Sequence, residues 1–445
     1  MKKLLLLLCV GIVVIPGCKD VVLETVIDKG VEVEVEVELI TYMVNEPVFM
    51  DTKAFRESVN VTTNVQPIHQ YGKMCFYQGY LYISEAEKGI HIINNSDPTN
   101  PQNVGFIELL GNVDLAIRND KLYADSYVDL VWFDISDPQK PELEGRLEDV
   151  FVKYFCLPHT GNNYVIDYSL CFDKNGMSKG IVVGWIVTER TDISMISTIV
   201  DDGIFGRLEL IQSQTQTGLK TNGGDGVNGS MSRFALYDDY LYSVINNYMS
   251  IVDLSGNQPE KVVENIFLGF NVETIFNYKE YMFMGTPIGM LIYSVADPLK
   301  PEYIRAVWHI FGCDPVVVED DVAYVTIHSG NFCGQTNNDL IIYDVSDVSD
   351  PKHIVTYAMK KPKGLGIDNG TLFVCDDGLK IFDAANPQTI MANCLAHYSG
   401  MDGYDVIPFG DVLMMIADDG LYQYDYSDLT KIELLSILPI EKPSF

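Results

Sequence analysis

Acidic side chains recur at two positions of a repeated strand pattern, and carboxylates placed in this way could support three kinds of chemistry. One set comes directly before or at the start of short apolar strands and consists of Asp114, Glu273, Asp314 and Asp405. The other set lies where further apolar strands end and includes Asp125, Asp376 and Asp418. Carboxylates that gather in space can bind cations or basic peptides, accept hydrogen bonds from polyhydroxyl ligands, or act as an acid–base pair on a glycosidic bond.

The elements that position these carboxylates follow from a repeated turn motif. Asp-Pro-x-x-Pro occurs at residues 97–101, 137–141 and 297–301, and weaker copies lie near residues 256–259, 350–351, 386–387 and 428–429. Pro98 and Pro138 are 40 residues apart, and Pro298 follows after another 160. A period near 40 residues that is built from strands and turns is typical of a β-propeller. The pattern predicts an all-β fold with a single propeller of eight four-stranded blades, with seven blades as the alternative if the irregular third repeat is miscounted.

Propeller topology brings the two acidic sets together. In a blade whose strands run up and down, the connection into the first strand and the connection between the second and third strands share one end, which we call the loop face. The carboxylates should therefore crowd the loop face and the mouth of the central channel. Two interpretations stay open: each aspartate caps backbone N–H groups of its own blade, or the face forms an acidic funnel for a ligand.

The first residues resemble a bacterial lipoprotein signal. Lys2 and Lys3 precede an apolar run that is too short to span a membrane and that ends at Ile15-Pro16-Gly17-Cys18. The resemblance implies a signal peptide at residues 1–17 and lipidation of Cys18. The expected location is the outer membrane, at the cell surface or on the periplasmic face, with the lipid as the membrane partner.

Composition agrees with an exported protein. The formal net charge of −32 repels nucleic acid, so no nucleic-acid partner is expected. Cys313 and Cys333 belong to two connections on the loop face, and we expect a disulfide between them. No spacing of histidine and cysteine indicates a zinc site, the metal content stays unknown, and Ca²⁺ is the one cofactor that the acidic residues suggest.

Two parts of the chain depart from the repeat. Residues 18–66 are expected to form a spacer, because residues 31–38 alternate valine and glutamate; a strand added to a blade edge is the alternative. Residues 67–445 are expected to form the propeller, with an insertion near residues 186–229. The third repeat is assigned to the strands at 164–168 and 180–185, although it lacks the Asp-Pro turn.

Several strands resemble a known repeat. Residues 130–135 (LVWFDI) and 340–345 (LIIYDV) each lead into Ser-Asp, as in the LVIVD repeat of bacterial surface proteins. The segments at 89–98 and 122–130 are similar to LVIVD-repeat lipoproteins of Bacteroidetes, and the resemblance covers about residues 46–440. It implies a β-propeller on an exported lipoprotein, and it implies no reaction.

These observations favour a binding module over an enzyme. The leading interpretation is a membrane-anchored propeller that binds a glycan or a protein through its acidic loop face. The alternative is a carbohydrate-active hydrolase or lyase that uses two of Asp114, Asp314 and Asp405 as acid and base. The third interpretation is a purely structural role in the cell envelope. No catalytic motif is present in the sequence, so no catalytic residue is assigned.

Overall fold

A computed structural model describes residues 21–28, 31–62, 64–152, 156–172, 179–195, 227–308, 315–329 and 337–441. The chain divides into two compact units. The smaller unit combines residues 1–52 with residues 158–210, and the larger unit combines residues 53–157 with residues 211–445. Helices within the described ranges are short: Thr52–Arg56, Tyr168–Cys171 and a 3-10 helix at Pro387–Asn393. None of them is long and apolar enough to cross a membrane.

The larger unit contains seven sheets, and each has four consecutive antiparallel strands that we number as blades 1 to 7. Blades 1 to 3 consist of Met74–Tyr77, Tyr80–Glu85, Gly89–Asn94 and Gln102–Glu108; Leu115–Arg118, Lys121–Ser126, Asp129–Asp134 and Glu142–Leu147; and Phe234–Tyr237, Tyr240–Ile245, Tyr248–Asp253 and Glu260–Phe267. Blades 4 and 5 consist of Thr274–Tyr278, Tyr281–Thr286, Gly289–Ser294 and Glu302–Trp308; and Val316–Glu319, Val322–Ile327, Asp339–Asp344 and Lys352–Ala358. Blades 6 and 7 consist of Leu365–Asp368, Thr371–Val374, Leu379–Asp383 and Cys394–Tyr398; and Gly403–Phe409, Val412–Ala417, Gly420–Asp425 and Glu433–Pro439.

The hydrophobic core lies between neighbouring blades rather than at one centre. Separate buried clusters join blade 1 to blade 2, blade 2 to blade 3, and so on around the ring. The second and third strands of each blade are buried on both faces, which is why they read as continuous apolar runs. The fourth strands are largely exposed, and the first strands of successive blades contact one another around the axis.

The ring closes between blade 7 and blade 1. A buried cluster joins Ile407 and Met414 to Leu81 and other side chains of blade 1. Around this cluster, the hydroxyl of Tyr71 donates to the Leu438 carbonyl at 3.0 Å. Buried amides at positions 95 and 423 exchange hydrogen bonds of 2.8 and 2.7 Å. The seven blades therefore form one closed propeller.

The end of the blades opposite the loop face, which we call the turn face, repeats the same local structure. In Asp97-Pro98-Thr99 the aspartate accepts a hydrogen bond from the backbone N–H two residues later, at 3.0 Å. The equivalent aspartates are Asp137, Asp297, Asp347 and Asp428. In blade 5 the capping residue is Asp347, three residues before the Asp350-Pro351 pair in the sequence. Proline fixes the turn without needing a hydrogen-bond acceptor for its nitrogen.

The smaller unit contains one sheet of a different kind. Its central strand, Val31–Met50, pairs antiparallel with Val21–Asp28 and with Ile181–Met195, and parallel with Val165–Ile166. Arg190 stabilises this sheet, because it donates hydrogen bonds to the carboxylates of Glu46 and Asp167.

The prediction of an all-β fold with one propeller is confirmed, and the described chain has eight sheets in all. The number of sheets equals the predicted number of blades; seven of them close the ring, as in the seven-blade alternative, and the eighth belongs to the smaller unit. The third repeat needs correction, because its strands pair with Val31–Met50 instead of forming a quartet. A long strand rich in β-branched residues offers them a partner, and residues 152–230 carry no Asp-Pro turn that would close a blade.

Candidate functional site

The structure places six of the seven candidate carboxylates at the loop-face ends of the blades. Asp114, Glu273 and Asp405 begin or precede the innermost strands of blades 2, 4 and 7, and Asp125, Asp376 and Asp418 end or follow the second strands of blades 2, 6 and 7. Five of these side chains are buried, and Asp418 is exposed. The seventh, Asp314, lies outside the described residues, as do Cys18, Cys313 and Cys333, so the lipidation and the disulfide stay predictions.

A segment of the chain lies inside the ring, and its first residues belong to the insertion that the sequence predicted near residues 186–229. Val227–Asn228 pairs with the innermost strand of blade 1, and the chain continues along the channel to residue 233. Hydrogen bonds of 3.1, 3.1 and 2.8 Å link it to the innermost strands of blades 2, 4 and 6, at Leu115, Ile275 and Leu365. We call residues 227–233 the axial segment.

Asp114 binds this segment rather than facing open solvent. Its Oδ1 accepts hydrogen bonds from the Leu115 N–H at 2.8 Å and from the Ser232 hydroxyl at 2.7 Å. Its Oδ2 accepts from the backbone N–H of Arg233, and the Lys73 Nζ lies 3.7 Å away. The carboxylate therefore joins blade 2 to the axial segment.

Asp405 binds the same segment from blade 7. Its Oδ1 accepts hydrogen bonds from the Ser230 backbone N–H at 3.0 Å and from the Ser230 hydroxyl at 2.7 Å. A Cβ at Gly229 would lie 1.8 Å from Asp405 Oδ2, so only glycine fits beside this carboxylate. Burial raises the pKa of Asp405 to about 7, although the hydrogen bond from Ser230 acts in the opposite direction.

Two cations accompany these acids, and sequence analysis missed both. The Nζ of Lys73 is buried and donates to the Met231 carbonyl of the axial segment. Burial lowers the pKa of Lys73 to about 7, and the charge of Asp114 opposes that shift. The guanidinium of Arg233 contributes to the same electrostatic environment, since its charge lowers the pKa values of Lys73 and Asp125. The cluster is thus a mixture of acids and bases rather than a row of like charges.

Asp125 caps the connection into the innermost strand of its own blade. Its Oδ1 accepts hydrogen bonds from the backbone N–H groups of Val113 and Asp114, at 2.7 and 2.8 Å, and from the side-chain amide of Asn112 at 3.1 Å. Burial raises the pKa of Asp125 to about 6, while the positive charge of Arg233 lowers it. This arrangement is the structural cap that sequence analysis left open.

Asp376 and Asp418 also accept hydrogen bonds from nearby backbone N–H groups. Asp376 accepts hydrogen bonds from the backbone N–H groups of Lys360 and Lys361, at 3.0 and 2.6 Å, and pairs with Lys380. Asp418 accepts from the backbone N–H of Asp402 at 3.0 Å. Glu273 is fully buried. Within the described ranges, no three acidic, histidine or cysteine side chains come together as metal ligands.

The sequence contained a signal for part of this arrangement. Asp114 and Asp405 share a position at the start of innermost strands, as the first acidic set predicted, and the two side chains bind neighbouring parts of one segment. The serines at 230 and 232 directly follow a Gly- and Asn-rich stretch at residues 222–229, and nothing local marks them as partners. Lys73 precedes an ordinary apolar strand, and its burial depends on the axial segment.

Comparisons with known proteins identify the repeat. The LVIVD repeat matches residues 75–107, 228–257 and 316–358, which lie mainly in blades 1, 3 and 5. The chain therefore contains LVIVD repeats, as the resemblance predicted. No curated protein matches the sequence.

Several solved structures are similar in fold at low sequence identity. The computationally designed Ika8 protein is 8% identical, with a TM-score of 0.45 over 84% of this chain and 89% of that chain. Hsv2 of Kluyveromyces lactis is 12% identical, with a TM-score of 0.44 over 84% and 99%. BamB from Moraxella catarrhalis is 8% identical, with a TM-score of 0.43 over 86% and 97%. Similarities of this size carry no information about ligand or activity.

Proposed function

We propose that this protein is an exported binding module that uses the loop face of its propeller and is held at the outer membrane by a lipid on Cys18. The observation that carries the proposal is the contrast between the two ends of the blades. The turn face repeats one capped turn from blade to blade, whereas the loop-face connections differ in length, charge and partners. Variable loops on a rigid scaffold are where binding residues are usually found.

The charge of the loop face supports a cationic or polyhydroxyl ligand. Asp418 and Asp402 are exposed there, and Asp149 and Asp377 keep side-chain exposures of 50% and 30%. Ionised carboxylates only accept hydrogen bonds, so they favour ammonium groups, hydroxyls or Ca²⁺ over anionic partners. A Ca²⁺ ion at these exposed acids would have to displace the arginine and lysine side chains that pair with Asp149, Asp377 and Asp402.

The contacts of the buried carboxylates favour binding over hydrolysis. A glycosidase needs two carboxyl groups that reach the scissile bond. Asp114 and Asp405 are each 1% exposed, and their oxygens accept hydrogen bonds from the axial segment. A substrate could reach them only after that segment had moved, so the hydrolase or lyase alternative has less support.

A pair of matched variants tests the binding face. The loop-face triple variant Asp149→Asn/Asp377→Asn/Asp418→Asn and the turn-face triple variant Glu142→Gln/Asp239→Asn/Glu302→Gln each remove three negative charges. Calorimetry with hexalysine should show about tenfold weaker binding for the loop-face variant, because three rim charges at about 0.5 kcal/mol each give roughly that ratio. The turn-face variant should bind like the wild type. Equal losses in both variants, or no binding by the wild type, would reject an acidic binding face.

The anchor has its own test. Full-length protein expressed in a Gram-negative host should partition with the outer membrane, and Cys18→Ala should release it or block its processing. Mass spectrometry of the mature N-terminus should show diacylglycerol on Cys18. Unchanged partition of the variant together with an unmodified N-terminus would remove the lipid anchor from the proposal.

A further inference from the structure

Two pairs of aromatic rings lie on the loop face of blades 3 and 4. Tyr248 begins the third strand of blade 3 and Phe267 ends the fourth, and their ring centroids are 5.6 Å apart. Phe270 lies on the connection into blade 4 and packs edge-on against Trp308, with centroids 5.1 Å apart. All four rings stand at loop-face ends: the start of a third strand, the ends of two fourth strands and a connection between blades.

The backbone holds the two pairs close together. The connection that carries Phe267 and Phe270 packs on the turn between the second and third strands of blade 3. The Leu268 N–H donates to the Asn247 carbonyl at 2.9 Å, and the Val272 N–H donates to the Asn246 carbonyl at 2.7 Å. The rings therefore belong to a single surface, which we call the aromatic patch and define by Tyr248, Phe267, Phe270 and Trp308.

The patch combines exposed rings with uncharged neighbours in the ranges that the structure describes. Phe267 and Trp308 are 62% and 56% exposed, which is high for rings of this size. Residues 246–248, 265–272 and 286–289 carry no ionisable side chain other than tyrosine, although the whole protein has a net charge of −32. Around the rings, Asn265 is exposed and Asn247 partly exposed, so amide groups that both donate and accept are available at the rim.

We propose that the aromatic patch is a subsite for a neutral sugar chain. The face of a pyranose ring presents C–H bonds with a slight positive charge, and these pack on the negative face of an aromatic ring. Sugar hydroxyls both donate and accept hydrogen bonds, as the flanking asparagine amides do. A neutral ligand also avoids the desolvation of a charge against apolar rings. The inference rests on the proposed binding role of the loop face and names the ligand class for one part of it.

The strand that carries Trp308 offers a matched control. Tyr303 lies on the same strand, Glu302–Trp308, is also 56% exposed, and stands at the opposite, turn-face end. The probes are cellohexaose, maltohexaose and mannohexaose, titrated by calorimetry and by tryptophan fluorescence. Of the three tryptophans, Trp132 is buried and Trp185 is partly buried. A shift in emission is therefore assigned to Trp308 only if it disappears in the Trp308→Phe variant.

At least one of the three neutral hexasaccharides should bind the wild type and shift its tryptophan emission. Trp308→Ala should weaken that binding by about tenfold or more, as expected when a central aromatic contact is lost. Trp308→Phe should retain most of the affinity, and Tyr303→Ala should leave it unchanged. Circular dichroism and the melting temperature of each variant verify that the fold is intact.

Three results would overturn the inference: no binding of any of the three hexasaccharides by the wild type, an equal loss in the Tyr303→Ala variant, or binding of an apolar peptide in place of the sugars. If hexalysine still depends on the loop-face acids in any of these cases, the binding module stands and only the sugar subsite fails. If neither the acids nor the aromatic patch affects any probe, the loop-face function itself fails.

Discussion

Aspartates cap the chain at both ends of the blades, but they do so in different ways. On the turn face, Asp97 and Asp137 each bind an N–H two residues away in their own turn. On the loop face, Asp114 and Asp405 bind serines that are 118 and 175 residues away in sequence. The first kind of contact is local and exposed, and the second is buried and joins different parts of the ring.

This difference explains why the same turn motif repeats on the turn face, whereas the loop-face connections differ from blade to blade. A local cap needs only its own tetrapeptide, so every blade can keep the same motif. A contact to the axial segment depends on where that segment passes, and blades 1, 2, 4, 6 and 7 contact different parts of it. The loop-face connections are therefore free to differ, and we infer that ligand binding has used that freedom.

The largest effect should come from the buried aspartate that faces Lys73. Asp114→Ala removes the acceptor for the Ser232 hydroxyl and for the Arg233 N–H, and it leaves a buried ammonium without its nearest carboxylate. We expect the free energy of unfolding to fall by about 3–5 kcal/mol, which is typical when one partner of a buried charged pair is lost. Urea denaturation followed by fluorescence measures this change. A loss below 1 kcal/mol would show that the axial segment is held by other contacts.

A second variant, Asp405→Asn, tests the buried loop-face contact through the pH dependence of the free energy of unfolding. The pKa of Asp405 is raised from 3.8 to about 7, so between these pH values the folded chain retains a proton that the unfolded chain has lost. The contribution of Asp405 to stability is therefore largest in acid and falls as pH rises from about 4 to about 7. Asp405→Asn removes this dependence. The stability of the variant relative to wild type should increase with pH across that window, by up to about 1.4 kcal/mol per pH unit.

Two neighbouring side chains, Asp125 and Lys73, also make the stability depend on pH. Asp125, with its pKa raised to about 6, acts in the same sense below pH 6. Lys73, with its pKa lowered from 10.5 to about 7, acts in the opposite sense above pH 7, where the unfolded chain holds the extra proton. The comparison of Asp405→Asn with wild type should therefore be made between pH 4 and 7. A difference that stays constant over this range would contradict the buried, proton-sensitive role of Asp405.

The sequence predicted the parts of the fold that depend on local patterns. The Asp-Pro turns and the apolar strand quartets located all seven blades of the ring, because each blade carries its own turn and its own hydrophobic faces. The axial segment was missed because Gly229 and its neighbours read as a loop, and only the surrounding ring makes a strand of Val227–Asn228. The partner of the strand at 181–195 was missed for a similar reason, since it lies more than 130 residues earlier.

The candidate site was predictable in position but not in environment. The repeat correctly put Asp114 and Asp405 at equivalent places. Their burial, and the nearby ammonium of Lys73, follow from long-range packing that no local motif encodes.

A smaller effect is expected at the turn face. Asp137→Ala removes one exposed acceptor for the Gln139 N–H, and we expect a loss of about 1 kcal/mol, as for other caps of this kind. Asp97→Ala should cost at least as much, because Asp97 also accepts a hydrogen bond from the Thr99 hydroxyl at 2.6 Å. The effects should add in the double variant, since the turns share no partner. Strong non-additivity would show that the turn face is coupled across blades.

The smallest effect on stability should come from the exposed loop-face acid. Asp418→Asn leaves an acceptor for the Asp402 N–H, so the free energy of unfolding should change by less than about 0.5 kcal/mol. Any loss of hexalysine affinity in this variant would therefore report on binding and not on folding. A large drop in stability would move Asp418 into the structural group with Asp114.

Hydrogen–deuterium exchange with bound probes tests most directly whether the loop face is the binding face. The protein is compared alone, with hexalysine and with the neutral hexasaccharides, at concentrations well above the measured dissociation constants. We predict slower exchange at loop-face connections, in particular residues 246–248 and 265–272 for a sugar and residues 376–378 and 418–419 for hexalysine, and unchanged exchange at turns 97–101, 137–141 and 297–301. Protection at those turns, or no protection at either end, would contradict the assignment of binding to the loop face.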